Sequence, residues 1–483
     1  MTNRVMRRGS ATVAHDRGRS VRIWTLALTS LAAFMVSLDA LVVVTALPSI
    51  QRDLRADLST LEWTVNAYTL AFAAGIVTAA ALGDRFGRRR VFAGGLALFS
   101  VASAGCALAP TPEALIAARA VQGLGAAVVT PLALTILASA FPAERRGMVL
   151  GLWGGITGLA VAGGPLVGGG VTQGLDWHWI FWVNVPIGVM ATLLALTRLP
   201  ESRGPASRLD PIGALLVTAG AVSIAWGLIR ANGAGWGSGE VIGALGGGAA
   251  LIVGFILWER RAPAPMLPLE LFRIRAFAAA NATGFLMFGS IFSAAFLISQ
   301  YFQFALGYSP VATGLRFLPW TATPIVIAPL AGALSDRIGR RPLIATGLFL
   351  QAGGLLWIAT HATTSLGYGQ LVIPMVVAGI GISMAIPTTP TAALSAVAPQ
   401  DMGKASGVQN TLTRFGSVFA VAVAGAVFAG SGHLGSASSF TNGFRPALTV
   451  VAGMSALGAI SALAVAERRR GAAETKPAHA MAS

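Results

Sequence analysis

Long apolar stretches separated by short polar turns run along almost the whole chain. Fourteen of them, at roughly 23–46, 61–82, 91–109, 113–137, 148–172, 178–196, 210–229, 240–258, 275–299, 310–332, 342–360, 369–391, 406–430 and 444–465, each hold about 20 residues. That length crosses the ~30 Å hydrocarbon core of a bilayer as a helix. Proline and glycine recur inside them, as at Pro165, Pro319, Pro324 and Pro387. Spanning helices tolerate both, because neighbouring helices and water satisfy the freed backbone groups. The pattern predicts an all-α polytopic membrane protein.

Composition agrees: 55% of residues are apolar and only 11% charged, against roughly 25% charged in soluble domains. A net charge of +16 would also suit a nucleic-acid binder, so the placement of the charges decides. With the N-terminus set inside, the inside segments hold 27 of the 34 basic residues, and the outside loops hold four, Arg52, Arg55, Arg230 and Arg445. Arg119, Arg316 and Arg414 fall within spans. Cytoplasmic loops carry the excess of Lys and Arg in membrane proteins. The basic surplus is therefore topogenic, both termini are expected in the cytoplasm, and no nucleic-acid partner is expected. The first apolar run is too long for a cleaved secretory leader and reads as a spanning helix.

One motif occurs twice. Gly83-Asp84-Arg85-Phe86-Gly87-Arg88-Arg89-Arg90, after the second stretch, returns as Ser335-Asp336-Arg337-Ile338-Gly339-Arg340-Arg341 after the tenth. Such a parallel repeat is the plan of a carrier built from two bundles. Two six-helix bundles would put the copies six stretches apart, so the gap of eight implies two inserted helices, 210–229 and 240–258. The expected division is a basic cytoplasmic tail (1–22), a first six-helix bundle (23–196), a linker with two additional helices (197–274), a second bundle (275–465) and a cytoplasmic tail (466–483).

These residues resemble the major facilitator superfamily, specifically its fourteen-spanner drug:proton antiporter branch. The first loop matches the family's G-x-L-a-D-R-x-G-R-R at Leu82, Asp84, Arg85, Gly87, Arg88 and Arg89, with Ala80 in place of the first Gly, and the second copy matches from Gly332 through Arg341. Arg119, Gln122, Gly123, Gly125 and Ala127 are similar to R-x-x-Q-G-x-G-x-A. Gly163, Gly164, Pro165, Gly168 and Gly169 resemble the antiporter motif g-x-x-x-G-P-x-x-G-G. Leu38-Asp39 through Ala46-Leu47-Pro48 is close to the branch's L-D-x-T-v-v-n-v-A-L-P, with Leu41 and Val44 in place of Thr and Asn. The resemblance implies a secondary transporter, not an enzyme. It would export lipophilic small molecules from the bacterial plasma membrane, driven by the proton gradient, without a cofactor and as a monomer. The variant reading is a dedicated exporter of one self-made metabolite, and a non-transporting receptor on the same fold is a third. No G-x-x-x-x-G-K-[ST] loop for ATP is present.

Among 18 acidic residues Asp39 alone lies well inside a stretch; Glu62 and Glu113 stand at stretch ends. A carboxylate at depth costs ~2.5–3.5 kcal/mol on insertion scales, so Asp39 is the candidate for the coupling proton, or else an anchor for the first helix. Arg119 is its candidate partner: at 1.5 Å per residue both lie about 9–11 Å below the same face. The pair is either switchable or permanent. Asp84, Arg85, Gly87, Arg88 and Arg89, with Asp336, Arg337, Gly339, Arg340 and Arg341, are candidates for a cytoplasmic latch between helices, against topology alone. Candidate cavity residues are Trp63, Asn66, Tyr68, Gln122, Arg316 and Arg414. The last two have no acid in the spans of their own half. The glycines around Pro165 predict close helix packing, expected against 406–430. Cys106 is the single cysteine and the five histidines lack metal spacing, so neither a disulfide nor a metal site is expected.

Overall fold

The computed structural model describes residues 2–203, 210–263, 265, 267–398 and 401–465. The tail from residue 466 and the side chain of Asp336 lie outside the described residues. The first half runs α1 (Thr2–Leu54), α2 (Leu58–Phe86), α3 (Arg88–Ala107), α4 (Pro112–Ala140), α5 (Ala143–Gly174), α6 (Trp179–Trp182) and α7 (Asn184–Arg198). Then come α8 (Pro211–Ala234) and α9 (Gly239–Glu259). The second half follows as α10 (Arg275–Gln300), α11 (Pro310–Thr321), α12 (Thr323–Ile338), α13 (Arg340–His361), α14 (Tyr368–Ser395), α15 (Met402–Ala429) and α16 (Ala437–Ala462).

Among the described residues, 12 segments are long and apolar enough to cross a membrane. The helices α6 and α7 form one of them, α11 and α12 another, and α10 joins a π-turn at Tyr301–Ala305. The 29-residue α2 and 32-residue α5 stand where the second and fifth apolar stretches were expected, but are not in that set. The basic tail is not a separate element: α1 passes through it, since no proline interrupts the chain before Pro48.

The helix starts follow local chemistry. Asp57, Thr111, Asp210, Ser238, Ser309 and Ser436 each accept a backbone N–H from the first turn that follows. Pro112, Pro211 and Pro310 occupy first helical positions, where a missing N–H costs nothing. The break between α11 and α12 coincides with Pro324, which cannot donate into the ladder.

Two bundles result. In the first, α2 and α3 pack on α4, α3 on α7, and α1 on α5; in the second, α13 packs on α14 and α16, and α10 on α15 and α16. The halves meet where α5 lies on α11, α2 on α15 and α1 on α10. The expected packing of α5 against 406–430 is thus corrected: α5 faces α11, and α15 faces α2 instead. Small residues set this choice, because a side chain at Gly169 would strike the backbone of Pro310, and one at Gly314 that of Pro165.

The core is asymmetric from end to end. At the end carrying the α1–α2 turn, one cluster joins both halves, with Val43, Leu47 and Leu61 against Phe296, Phe302 and Phe317. Ser299 Oγ donates to the Val44 carbonyl (3.2 Å) and Gln303 Nε2 to the Thr45 carbonyl (2.9 Å), stitching α10 to α1. Toward the α2–α3 end the core divides: Phe92, Phe99 and Leu132 belong to a cluster of the first half, and Phe277, Ile344 and Leu348 to one of the second. The bundles are sealed at the α1–α2 end and keep separate cores at the other.

The inserted hairpin covers a seam. Helix α8 packs on α9 and also on α2 and α15. Val217, Ala221, Ala225 and Phe255 pack with Leu70, Ala73, Phe415 and Val418.

Candidate functional site

Four helices converge on Asp39. Its Oδ2 accepts from Arg119 Nη1 of α4 at 2.6 Å, and both side chains are 1% exposed. Its Oδ1 accepts from Gln122 Nε2 (2.9 Å), one turn along α4, and from Asn184 Nδ2 (2.9 Å), the first residue of α7. Gln122 also accepts from Arg119 Nη1 (2.6 Å) and donates to Ser103 Oγ of α3 (2.6 Å). The guanidinium is held from two further sides: Nε donates to the Thr64 carbonyl (3.2 Å), and the Tyr68 ring lies 4.2 Å from its carbon. Such closeness needs a bare Cα at Gly123, where a side chain would meet the Tyr68 backbone. The R-x-x-Q-G spacing thus puts a cation, an amide and a contact glycine on one stretch of α4.

Chemically this is a buried, charge-compensated cage. Every group touching Asp39 is a donor, and all lie within one half of the molecule. Protonating Asp39 would weaken the acceptor that holds Arg119 and leave a guanidinium with only carbonyls, an amide oxygen and aromatic faces. The sequence reading brought Asp39 and Arg119 to equal depth, and the structure pairs them. It missed Asn184 and Ser103, which are ordinary polar residues in sequence and gain meaning only from where α7 and α3 pass.

Three candidate cavity residues are accounted for elsewhere. Tyr68 and Gln122 belong to the cage; Trp63 packs on Trp226 of α8, ring centroids 5.9 Å apart. Asn66 is buried with both amide atoms unpartnered. Arg414 reaches from α15 across to the Phe72 ring (4.3 Å), linking the halves. Arg316 lies between the rings of Tyr308 (4.0 Å) and Tyr368 (5.1 Å) and donates to the Ala312 carbonyl one turn back in α11. Of the antiporter-motif residues, Gly164 and Gly168 lie on α1, Gly169 and Pro165 on α11, and Gly163 faces open space.

The two loop motifs turn on the same backbone feature. Gly87 (φ 105°) ends α2 and Gly339 (φ 88°) ends α12, both in the left-handed region that favours glycine. Asp84 at the end of α2 pairs at 2.8 Å with Arg88 at the start of α3, across the turn at Gly87. Glu201, which the sequence reading did not single out, takes the Arg89 amide (3.0 Å) and lies 3.6 and 3.7 Å from the Arg89 and Arg90 guanidinium groups. Arg340 donates to the Thr391 carbonyl and to Ser395 of α14, while Arg85, Arg337 and Arg341 are exposed. Each of these described contacts stays within its own half.

Sequence and fold comparisons agree with an all-helical membrane transporter fold. The profile of the Major Facilitator Superfamily matches residues 29–319 and 280–481. The tetracenomycin C resistance and export protein of Streptomyces glaucescens is 35% identical over 86% of this chain and 78% of its own. The multidrug resistance protein Stp of Mycobacterium tuberculosis is 35% identical over 84% and 76%. The cephamycin export protein CmcT of Amycolatopsis lactamdurans is 35% identical over 92% and 93%. In fold, the chain is similar to a peptide transporter POT (TM-score 0.67, 16% identity, 92% of this chain and 94% of that one). It is also similar to the xylose transporter XylE of E. coli (TM-score 0.60, 14% identity, 91% and 97%).

Proposed function

The chain belongs to the Major Facilitator Superfamily, and from that membership we propose a proton-driven exporter moving lipophilic drugs or antibiotics out across the bacterial plasma membrane by alternating access. Relatives named for export and resistance support the direction of transport. In this reading α2 and α5 cross the membrane with the other twelve segments, both termini are cytoplasmic, and the sealed α1–α2 end faces outward. The protein works as a monomer and needs no cofactor. The basic loops support the orientation, because Arg85 to Arg90 and Arg337 to Arg341 all lie at the α2–α3 end.

The observation that carries proton coupling is the Asp39 cage. A proton on Asp39 loosens Arg119, and Asp39 shares α1 with Val44 and Thr45, whose carbonyls hold α10 at the sealed end. The site is thus tied by one helix to the contact that must break for the outer end to open. The loop motifs supply the inner counterpart: Asp84, Arg88, Arg89 and Glu201 fix the α2–α3 corner as a rigid unit that the second half docks on and leaves. Relatives named for single compounds, tetracenomycin C and cephamycin, favour as second reading an exporter of one self-made antibiotic.

The test is uptake of lipophilic fluorescent drugs into everted membrane vesicles under an imposed pH gradient. Uptake that collapses with the gradient supports the reading, and uptake that persists without it refutes proton coupling. A panel of compounds in the same assay separates broad from dedicated export.

A further inference from the structure

A second acid lies between the helices, and the cage does not use it. Glu62, on the second turn of α2, is 2% exposed, and its Oε2 has no hydrogen-bond partner. The carboxyl group rests against the Cα of Gly425 on α15, filling the space a side chain there would occupy. Since α2 and α15 belong to different halves, this carboxyl is part of the seam at the sealed end. Asn66, one turn along, leaves both amide atoms unpartnered, and Gln300 of α10 leaves its Oε1 unpartnered.

Among the described residues, no cation compensates Glu62. Arg119 of α4 is committed to Asp39 of α1. Arg230 of α8 pairs with Glu240. Arg414 of α15 lies on Phe72, which is about 15 Å along α2 from Glu62. The charge whose field reaches Glu62 is Asp57, at the N-cap of the same helix. Partial burial works against the Asp57 charge, but hydrogen bonds from Thr60 and Ser59 outweigh it and hold that group below the usual carboxylate range. Asp57 therefore stays negative and makes a second negative charge at Glu62 costlier still. An ionised, unpaired carboxylate in a closed seam costs several kcal/mol, whereas a neutral acid fits.

We propose that Glu62 is a proton-operated latch on the outer seam: neutral, it nests against Gly425 and lets α2 close on α15; ionised, it keeps that seam open to water. The proton comes from the external solution, so external acid drives the emptied carrier back toward its inward-facing form. This rests on the proposed orientation and on alternating access, and is separate from the proton on Asp39.

The test uses the full-length protein in right-side-out membranes with Cys106→Ser. A reporter Ser299→Cys sits between α10 and α1 at the same sealed end, where Ser299 is 0% exposed, and a second reporter Ser438→Cys sits on the exposed first turn of α16 at that end. An impermeant thiol reagent is added outside, and the Ser299→Cys rate is divided by the Ser438→Cys rate at each pH to remove thiol ionisation. The ratio should rise about tenfold between about pH 5 and about pH 8, the change a shift of ~1.4 kcal/mol produces. With Glu62→Gln it should stay low throughout, and with Glu62→Asp the rise should return. A flat ratio in the parent, or the same rise in Glu62→Gln, overturns the latch and leaves the topology standing. Failure of Ser438→Cys to label from outside overturns the orientation, and the latch with it.

Discussion

Replacing Asp39 by Asn is the sharpest test of the cage, because the structure predicts more than loss of a titratable group. Arg119 Nη1, Gln122 Nε2 and Asn184 Nδ2 all point donors at the two carboxylate oxygens. An amide offers one acceptor and one donor, so in either orientation its NH2 faces at least one N–H. The variant also strands a buried guanidinium. Breaking one side of a buried pair costs about 3–5 kcal/mol, and the opposed donors put Asp39→Asn toward the upper part of that range. Arg119→Gln should cost a similar amount, since it strands the carboxylate. The double variant Asp39→Asn, Arg119→Gln removes both charges and lets two amides bond, so it should recover about 1–3 kcal/mol relative to the sum of the singles.

This cycle separates stability from coupling. Thermal stability of each purified variant gives the first quantity, and drug movement in proteoliposomes under an imposed pH gradient gives the second. If Asp39 carries the coupling proton, the double variant folds, binds drug and exchanges it across the membrane, but no longer responds to the gradient. If the pair is only a brace, transport should follow stability and return in the double variant. Gradient-driven transport at the parent rate in the double variant would refute Asp39 as the proton carrier.

Ser238→Cys, on the α8–α9 turn of a Cys106→Ser background, should react with an impermeant thiol reagent on intact cells; labelling only after permeabilisation contradicts the fourteen-span topology. Asp84→Asn removes the partner of Arg88 and should slow turnover several-fold with drug binding unchanged, and Glu201→Gln should act alike by freeing Arg89 and Arg90. Lost binding with an unchanged saturated rate would place Asp84 at the substrate site instead. Gly425→Ala drives a methyl group into the Glu62 carboxyl and should hold the outer seam open to the impermeant reagent at low pH, with closure restored in Gly425→Ala, Glu62→Ala. Failure of that shortening to help, in a protein of parental stability, would mean that the two residues do not share the seam.

Helix positions were legible because the bilayer imposes a length and an apolar composition on each crossing, and both are written linearly in the chain. The Asp39–Arg119 pair was legible for a related reason: an acid and a base at equal depth leave few alternatives in hydrocarbon. Asn184, Ser103 and Glu201 were not, since a short polar side chain or a loop acid looks the same whether it faces water or a buried carboxylate. The burial of Glu62 was not legible either. That residue falls near the start of its apolar stretch, which suggests a wet helix end, yet α2 begins earlier, at Leu58, and α15 covers that turn. The seam partner comes from the other half of the chain, and no local pattern encodes it.

The internal repeat likewise preserved scaffold but not charge. Where α1, α3 and α7 bring Asp39, Ser103 and Asn184 into the cage, the matching helices α10, α13 and α16 bring Ser290, Gln351 and Ser455 together. Gln351 Nε2 donates to Ser290 Oγ (3.2 Å), and Ser455 Oγ donates to Gln351 Oε1 (3.2 Å). The second network is neutral and buried, with Ser290 and Ser455 also reaching the Met287 and Leu348 carbonyls, so a change of pH leaves it as it is. A carrier needs both bundles to be rigid but only one to respond to protons. Placing the ionic cage in one half and an uncharged network in the other satisfies both demands. In the proposed cycle a proton on Asp39 acts only inside the first bundle, by loosening Arg119, while the second bundle offers an unchanging surface for α1, α2 and α5 to close on.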